Sequence, residues 1–281
     1  MLVLLIFMPY TKSQMKKTAF YLVLLLVFTT SAASAQQENA GQYYTSFDGT
    51  KIYYEVKGSG YPVVLIHGFT GTSQGWKNGL LYGNLVKSGY KVIILDQRGN
   101  GFSDKPHTDA AYSNDAEAKD IMGLVTSLNL KNYNIVGYSR GSIIASRLLV
   151  LDDRVNKTVL GGMGDAYTNP NWPRRMHAYR ALMGDKNFHD VDDMMTYIHS
   201  QHFDEQALAL QQKYQPSTSR LELSKVRKPV LIIRGTEDKE NGSETILKQM
   251  IPGSKLDYVP GDHNNAQKNN QFSAAVFFFF Q

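Results

Sequence analysis

The chain has 281 residues, 42% hydrophobic and 20% charged, a composition that supports a sizeable buried core. It holds no cysteine, which excludes a disulfide framework, a thiol nucleophile, cysteine lipidation and any thiolate metal or iron–sulfur site. The formal charge is +5, but Lys12, Lys16 and Lys17 stand in an acid-free first 35 residues, leaving 27 bases (30 − 3) against 25 acids. That near balance gives no basis for a nucleic-acid partner.

Met15-Lys16-Lys17-Thr18 is a short basic start, followed by an apolar run from Ala19 to Thr30 and by Ala33-Ser34-Ala35 ahead of Gln36. This order is that of a secretory signal peptide with its true start at Met15 and cleavage near Ala35, giving a periplasmic or extracellular chain. The run is short for a bilayer, so no stable span is expected after cleavage. An uncleaved anchor is the competing reading, because Leu2–Met8 is apolar too.

Short β-branched runs then recur, most of them closed by glycine. Gln42–Phe47 and Lys51–Val56 flank Asp48-Gly49, a hairpin signal. Val63–Ile66, Val92–Leu95, Tyr133–Val136, Thr158–Leu160, Val230–Ile233 and Leu256–Val259 lack polar alternation, as strands buried on both faces require. Between them, 116–128 places Ile121, Leu124, Val125 and Leu128 on one helical face, and 142–151 does so with Ile143, Ile144, Leu148 and Leu149. A mostly parallel α/β sheet entered through an antiparallel hairpin follows. From Asp165 to about Lys225 the strand rhythm stops and helical segments rich in Tyr, Met and His take over. The expected organisation is a core at 36–164, a helical cap at 165–226 and the rest of the core at 227–281. About 60 such residues make a poor core alone, which disfavours a second independent domain. Phe272, Val276 and Phe280 share one face of a last helix, leaving Phe278 off it.

The chemistry concentrates in Gly137-Tyr138-Ser139-Arg140-Gly141, placed directly between a strand and a helix. A serine at so sharp a turn takes strained backbone angles, and only glycine fits two residues to either side. The strain lifts the Ser139 hydroxyl clear, beside a helix N-terminus that favours a developing anion. A serine needs a base, and the base needs an acid. His263, after the last strand, and Asp238, after the strand before it, sit at the sheet end where ligands gather. Glu237 and Asp165 are rival acids. His67 is a weaker base candidate because it opens His67-Gly68-Phe69.

These pieces, with Asp96-Gln97-Arg98-Gly99-Asn100-Gly101-Phe102-Ser103, Gly235-x-x-Asp238 and Gly261-Asp262-His263, resemble the α/β-hydrolase superfamily, specifically its small cap-bearing serine members, from about Gln42 onward. The resemblance implies the α/β-hydrolase fold and an oxyanion hole made by the backbone N–H groups of Phe69 and Arg140. It also makes Asp96–Ser103 a structural turn. Relatives with aspartate at the elbow, the haloalkane dehalogenases and epoxide hydrolases, are excluded by Ser139. Two residues depart from the pattern. Ser142 stands where glycine is frequent, and Arg140 is unusually large and charged. A buried Arg140 needs a carboxylate, for which Asp190, Asp192 and Asp193 are candidates; attraction of an acidic substrate is the other reading.

The expected activity is hydrolysis of a carboxylic ester or related acyl bond of a small molecule, without cofactor or metal. An apolar pocket is expected from Tyr138, Trp172, Tyr179 and Phe203 beside Phe69. A proline-iminopeptidase-like aminopeptidase, a carbon–carbon bond hydrolase and an inactive ligand-binding protein of the same fold are the alternatives. His199, His202 and Asp204 could face one metal but read more simply as polar cap surface. Oligomeric state is open.

Overall fold

The computed structural model describes residues 41–281. The signal-peptide assignment at 1–35 lies outside them. Eight strands form one sheet: β1 (Gln42–Thr45), β2 (Lys51–Lys57), β3 (Pro62–Ile66), β4 (Lys91–Leu95), β5 (Tyr133–Tyr138), β6 (Val155–Gly161), β7 (Val230–Gly235) and β8 (Lys255–Val259). Their order is β1-β2-β4-β3-β5-β6-β7-β8. The first two pairings, β1–β2 and β2–β4, are antiparallel and the rest parallel.

Alternate residues of each buried strand meet different helices, which is the period of two at work. Val64, Ile66, Ile135 and Leu160 join a core with Ile121, Leu124 and Val125 of α3 (Ala116–Ser127) and Ile144 and Leu148 of α4 (Arg140–Leu151). Val63, Leu65, Val136 and Val159 face Trp76 of α1 (Ser73–Lys77), Leu85 of α2 (Leu80–Lys87) and Phe272, Val276 and Phe280 of α10 (Asn270–Phe280). Burial of each such side chain contributes about 1.5–3 kcal/mol. Phe278 points away from that face and is 73% exposed.

The β6–β7 connection carries α5 (Pro173–Leu182), α6 (Asp192–Ser200), α7 (Glu205–Lys213) and α8 (Arg220–Ser224), and α9 (Glu244–Met250) follows β7. Leu182, Ile198, Leu208 and Ala209 form a small separate core, against which Phe69, Tyr179, Met194, Met195 and Phe203 pack. The insertion is therefore seated on the loop after β3. Strand order reverses around β3, with β4 on one side and β5 on the other, so the loops after β3 and β5 open a crevice at their C-terminal ends.

Candidate active site

Ser139 follows β5 with φ 52° and ψ −125°, a conformation costing on the order of 1–3 kcal/mol that only surrounding contacts can hold. They are present: the Ser139 N–H donates to Gly161 O at 2.8 Å, and Ser142 N–H donates to Ser139 O at 2.9 Å. A Cβ on Gly137 would lie 2.3 Å from Gly141 O. Ser142, where the family pattern favours glycine, puts its hydroxyl 2.9 Å from Gly137 O and 2.8 Å from Gly161 O, tying the elbow to β6.

His263 Nε2 stands 2.8 Å from Ser139 Oγ, and its Nδ1 stands 2.9 Å from Asp238 Oδ2. Three loops that follow β5, β7 and β8 thus bring three side chains into one row. Burial pushes the Asp238 carboxyl up, but the His263 hydrogen bond and charge, the Glu240 N–H and the Arg234 guanidinium outweigh it and leave it below its ordinary value. An ionised Asp238 can only accept, so Nδ1 carries the hydrogen and Nε2 faces the serine as an acceptor. The rival acids lie elsewhere: Glu237 is exposed, and Asp165 Oδ1 accepts from Ser243 N–H at 2.7 Å.

Gly68 lies against the elbow, since a Cβ there would be 3.7 Å from Ser139 Oγ. Among the described residues the Phe69 and Arg140 N–H groups have no protein acceptor, which leaves both free to meet a negative oxygen beside Ser139.

The structure corrects the expected surroundings of Arg140. Its guanidinium pairs with Glu117 of α3, Nη1 to Oε1 at 2.7 Å and Nη2 to Oε2 at 2.5 Å, and both side chains are buried. Asp190 and Asp192 instead face His177 and His189 at 3.0 Å on the exposed surface, where Asp193 also lies. The carboxylate that a buried Arg140 needs is thus supplied by Glu117. Glu117 was detectable: it stands four residues before Ile121, a charge on the apolar face of α3.

Of the aromatic residues expected to line the pocket, Tyr179 and Phe203 pack with Phe69. Tyr138 does not join them; its position in β5 matches Val136, so its ring sits under the sheet against Phe272, and its hydroxyl donates to His263 O at 2.7 Å. Trp172 packs on the larger core. Asp204 caps α7 by accepting from Ala207 N–H and pairs with His107 at 2.8 Å, and His199 faces Glu205 at 3.3 Å. Among the described residues no group of three or more His, Asp and Glu could hold a metal, and no helix is long and apolar enough to cross a membrane.

Comparison with known proteins agrees with this architecture. The sequence pattern of the alpha/beta hydrolase fold family matches residues 61–225. A non-heme chloroperoxidase of Streptomyces lividans is 36% identical over 120 residues, 41% of this chain and 42% of that protein. A non-heme haloperoxidase of Rhodococcus erythropolis is 37% identical over 120 residues, 42% of each. The chain thus spans about two fifths of the length of these curated relatives. An esterase from Exiguobacterium antarcticum superposes with a TM-score of 0.71 at 25% identity, covering 86% of this chain and all (100%) of that one. A bromoperoxidase from Bacillus anthracis gives 0.66, also at 25% identity, over 86% and 99%.

Proposed function

We propose that this chain, which belongs to the alpha/beta hydrolase fold family, is a serine hydrolase of carboxylic esters and related acyl bonds. The observation that carries the reading is the row Ser139–His263–Asp238, with contacts of 2.8 and 2.9 Å across three loops. Ser139 Oγ attacks the acyl carbon while His263 Nε2 takes its proton, and Asp238 stabilises the resulting imidazolium. The Phe69 and Arg140 N–H groups hold the oxyanion; each such donor contributes about 3 kcal/mol to the barrier reduction. The imidazolium returns the proton to the departing alcohol, and water then releases the acyl group by the same steps. The aminopeptidase alternative calls for cap acids to hold a free amine; of Asp190, Asp192 and Asp193, the first two pair with His177 and His189, and all three lie on the exposed surface.

Ser139→Ala is expected to abolish covalent labelling by a fluorophosphonate and turnover of short p-nitrophenyl esters, with an unchanged circular dichroism spectrum. Labelling that survives the change refutes the assignment. The names of the haloperoxidase relatives favour one second reading of the same site. Hydrogen peroxide in place of water would take the acyl group to give a peracid, which oxidises halide to hypohalous acid and returns the carboxylic acid. Halogenation of monochlorodimedone that needs both acetate and peroxide, and is lost in Ser139→Ala, would establish it; ester turnover without halogenation would leave hydrolysis alone. Export is part of the proposal, and a secreted form beginning near Gln36 by mass spectrometry is its test.

A further inference from the structure

The loop that carries the Phe69 N–H is held at both of its flanking carbonyls. Gly68 O and Phe69 N–H belong to one planar trans peptide and point to opposite sides. His67 Nδ1 is 2.7 Å from Gly68 O, and His67 Nε2 accepts from the Gln97 N–H at 3.1 Å. The Gln97 N–H on Nε2 puts the hydrogen on Nδ1, so the ring donates to Gly68 O, which also accepts from the Gly71 N–H at 3.1 Å, and the Phe69 N–H is held pointing away from that carbonyl. Burial pushes the His67 imidazole below its ordinary value, which keeps it neutral. The next carbonyl, Phe69 O, accepts from Asn100 Nδ2 at 2.8 Å, and Asn100 Oδ1 in turn accepts from Gln211 Nε2 on α7 at 2.5 Å.

Both arms end on one side chain. Arg140 Nη1 donates to Gln97 Oε1 at 2.9 Å, which leaves the Gln97 amide nitrogen turned to His67 O at 2.6 Å. Arg140 Nη2 donates to the backbone O of Gln211 at 3.0 Å. Glu117 fixes the guanidinium plane from the other side. We infer that the Arg140 side chain is a positioning residue for the oxyanion pocket, holding through Gln97 and Gln211 the two hydrogen-bond arms that orient the loop of the first N–H donor, while its own N–H is the second. The inference rests on the serine-hydrolase reading and explains why a bulky cation stands next to the nucleophile.

Arg140→Met alone would strand Glu117, so the test is the paired variant Glu117→Leu/Arg140→Met, which replaces a buried ion pair by apolar groups, an exchange that is often neutral in proteins. Displacing a reacting partner by about 1 Å costs on the order of a hundredfold. The pair is therefore expected to lose roughly 10- to 100-fold in kcat with KM little changed, and affinity for an aryl boronic acid should fall by the same factor as kcat/KM. Gln97→Met should lower kcat in the wild-type background and add little to the pair, because the arm it cuts is already slack. A pair that melts lower but keeps wild-type kcat and boronate affinity overturns the inference, as does a Gln97→Met loss that adds in full. A wild-type chain that neither turns over esters nor takes the boronate overturns the serine-hydrolase reading itself, and the inference with it.

Discussion

Gly141→Ala tests how tightly the elbow is wedged between its neighbours. A Cβ at this position would lie 2.1 Å from Ile66 O and 2.7 Å from His67 O, where ordinary contact begins at 3.4 Å. The shortfall is about 1.3 Å (3.4 − 2.1), and the obstructing atoms are backbone at the end of β3, which is paired on both edges by β4 and β5. Neither side can yield cheaply, so the start of α4 must retreat and carry Ser139 with it. Overpacking of this kind costs about 1–3 kcal/mol, and a misplacement near 1 Å costs on the order of a hundredfold in rate. The assay is p-nitrophenyl acetate turnover per titrated serine, run beside a thermal melt. Gly83→Ala in α2 is the control, because a Cβ there meets nothing within 4 Å. It should raise stability by up to about 1 kcal/mol, since alanine is the better helix former, and leave turnover alone. If Gly141→Ala keeps wild-type turnover, the proposed packing of the elbow is wrong.

Two further expectations concern charge. Asp238→Asn should keep the fold but lower kcat by about 10⁴-fold, because an amide can hold the wrong imidazole tautomer; a loss below tenfold in ester turnover would contradict the role given to Asp238. Burial raises Asp48, Glu55, Asp152 and Asp238, but Arg98, Lys77, Arg154 and His263 respectively, with other hydrogen bonds, pull each below its ordinary value. The unfolded chain therefore takes up protons first. The stability these groups contribute is present above the ordinary carboxylate range and is lost as pH falls through it. Melting temperatures recorded downward from pH 6 should drop steeply below about pH 4, and Asp152→Asn should shallow that drop.

The strands were legible because a sheet covered on both sides writes itself as continuous apolar runs. The meeting of Ser139, Asp238 and His263 was legible because each follows a strand whose C-terminal end lies on the same side of the sheet. Side-chain direction was less so. Tyr138 reads as a pocket aromatic by its place in the pentapeptide, yet strand alternation puts it on the Val136 face, under the sheet. The partner of Arg140 is not legible in the sequence because the pairing of α3 with the elbow is a tertiary contact, and the acidic cluster at 190–193 belongs to the cap. The signal lay within α3: Glu117 and Asp120 fall among the apolar positions of that helix, and both are 2% exposed. Acids so buried imply arginines to meet them.

The two arginines that meet them have different consequences, because their remaining donors go to different places. Arg98 binds Asp120 with Nε and Nη2, at 2.7 and 2.6 Å, and spends Nη1 on Asp48 and Ala111 O, all of them parts of the hairpin and loops that frame the sheet. Arg140 Nη1 and Nη2 donate also to Gln97 and to the backbone O of Gln211, which support the loop beside Ser139, while its buried Nε–H has no partner among the described residues. Asp120→Ala leaves the fully buried Arg98 with only part of its charge compensation and should lower stability by about 3–5 kcal/mol, read from the urea midpoint. Turnover per folded molecule should stay near wild type, because the Asp120 side chain bonds Ser46 and Arg98 and none of the side chains that hold the loop beside Ser139. Glu117→Leu/Arg140→Met should do the reverse, keeping the midpoint and losing turnover. If Asp120→Ala instead depresses kcat as strongly as the Arg140 pair does, the site senses the whole of α3, and the distinction drawn between the two arginines is void.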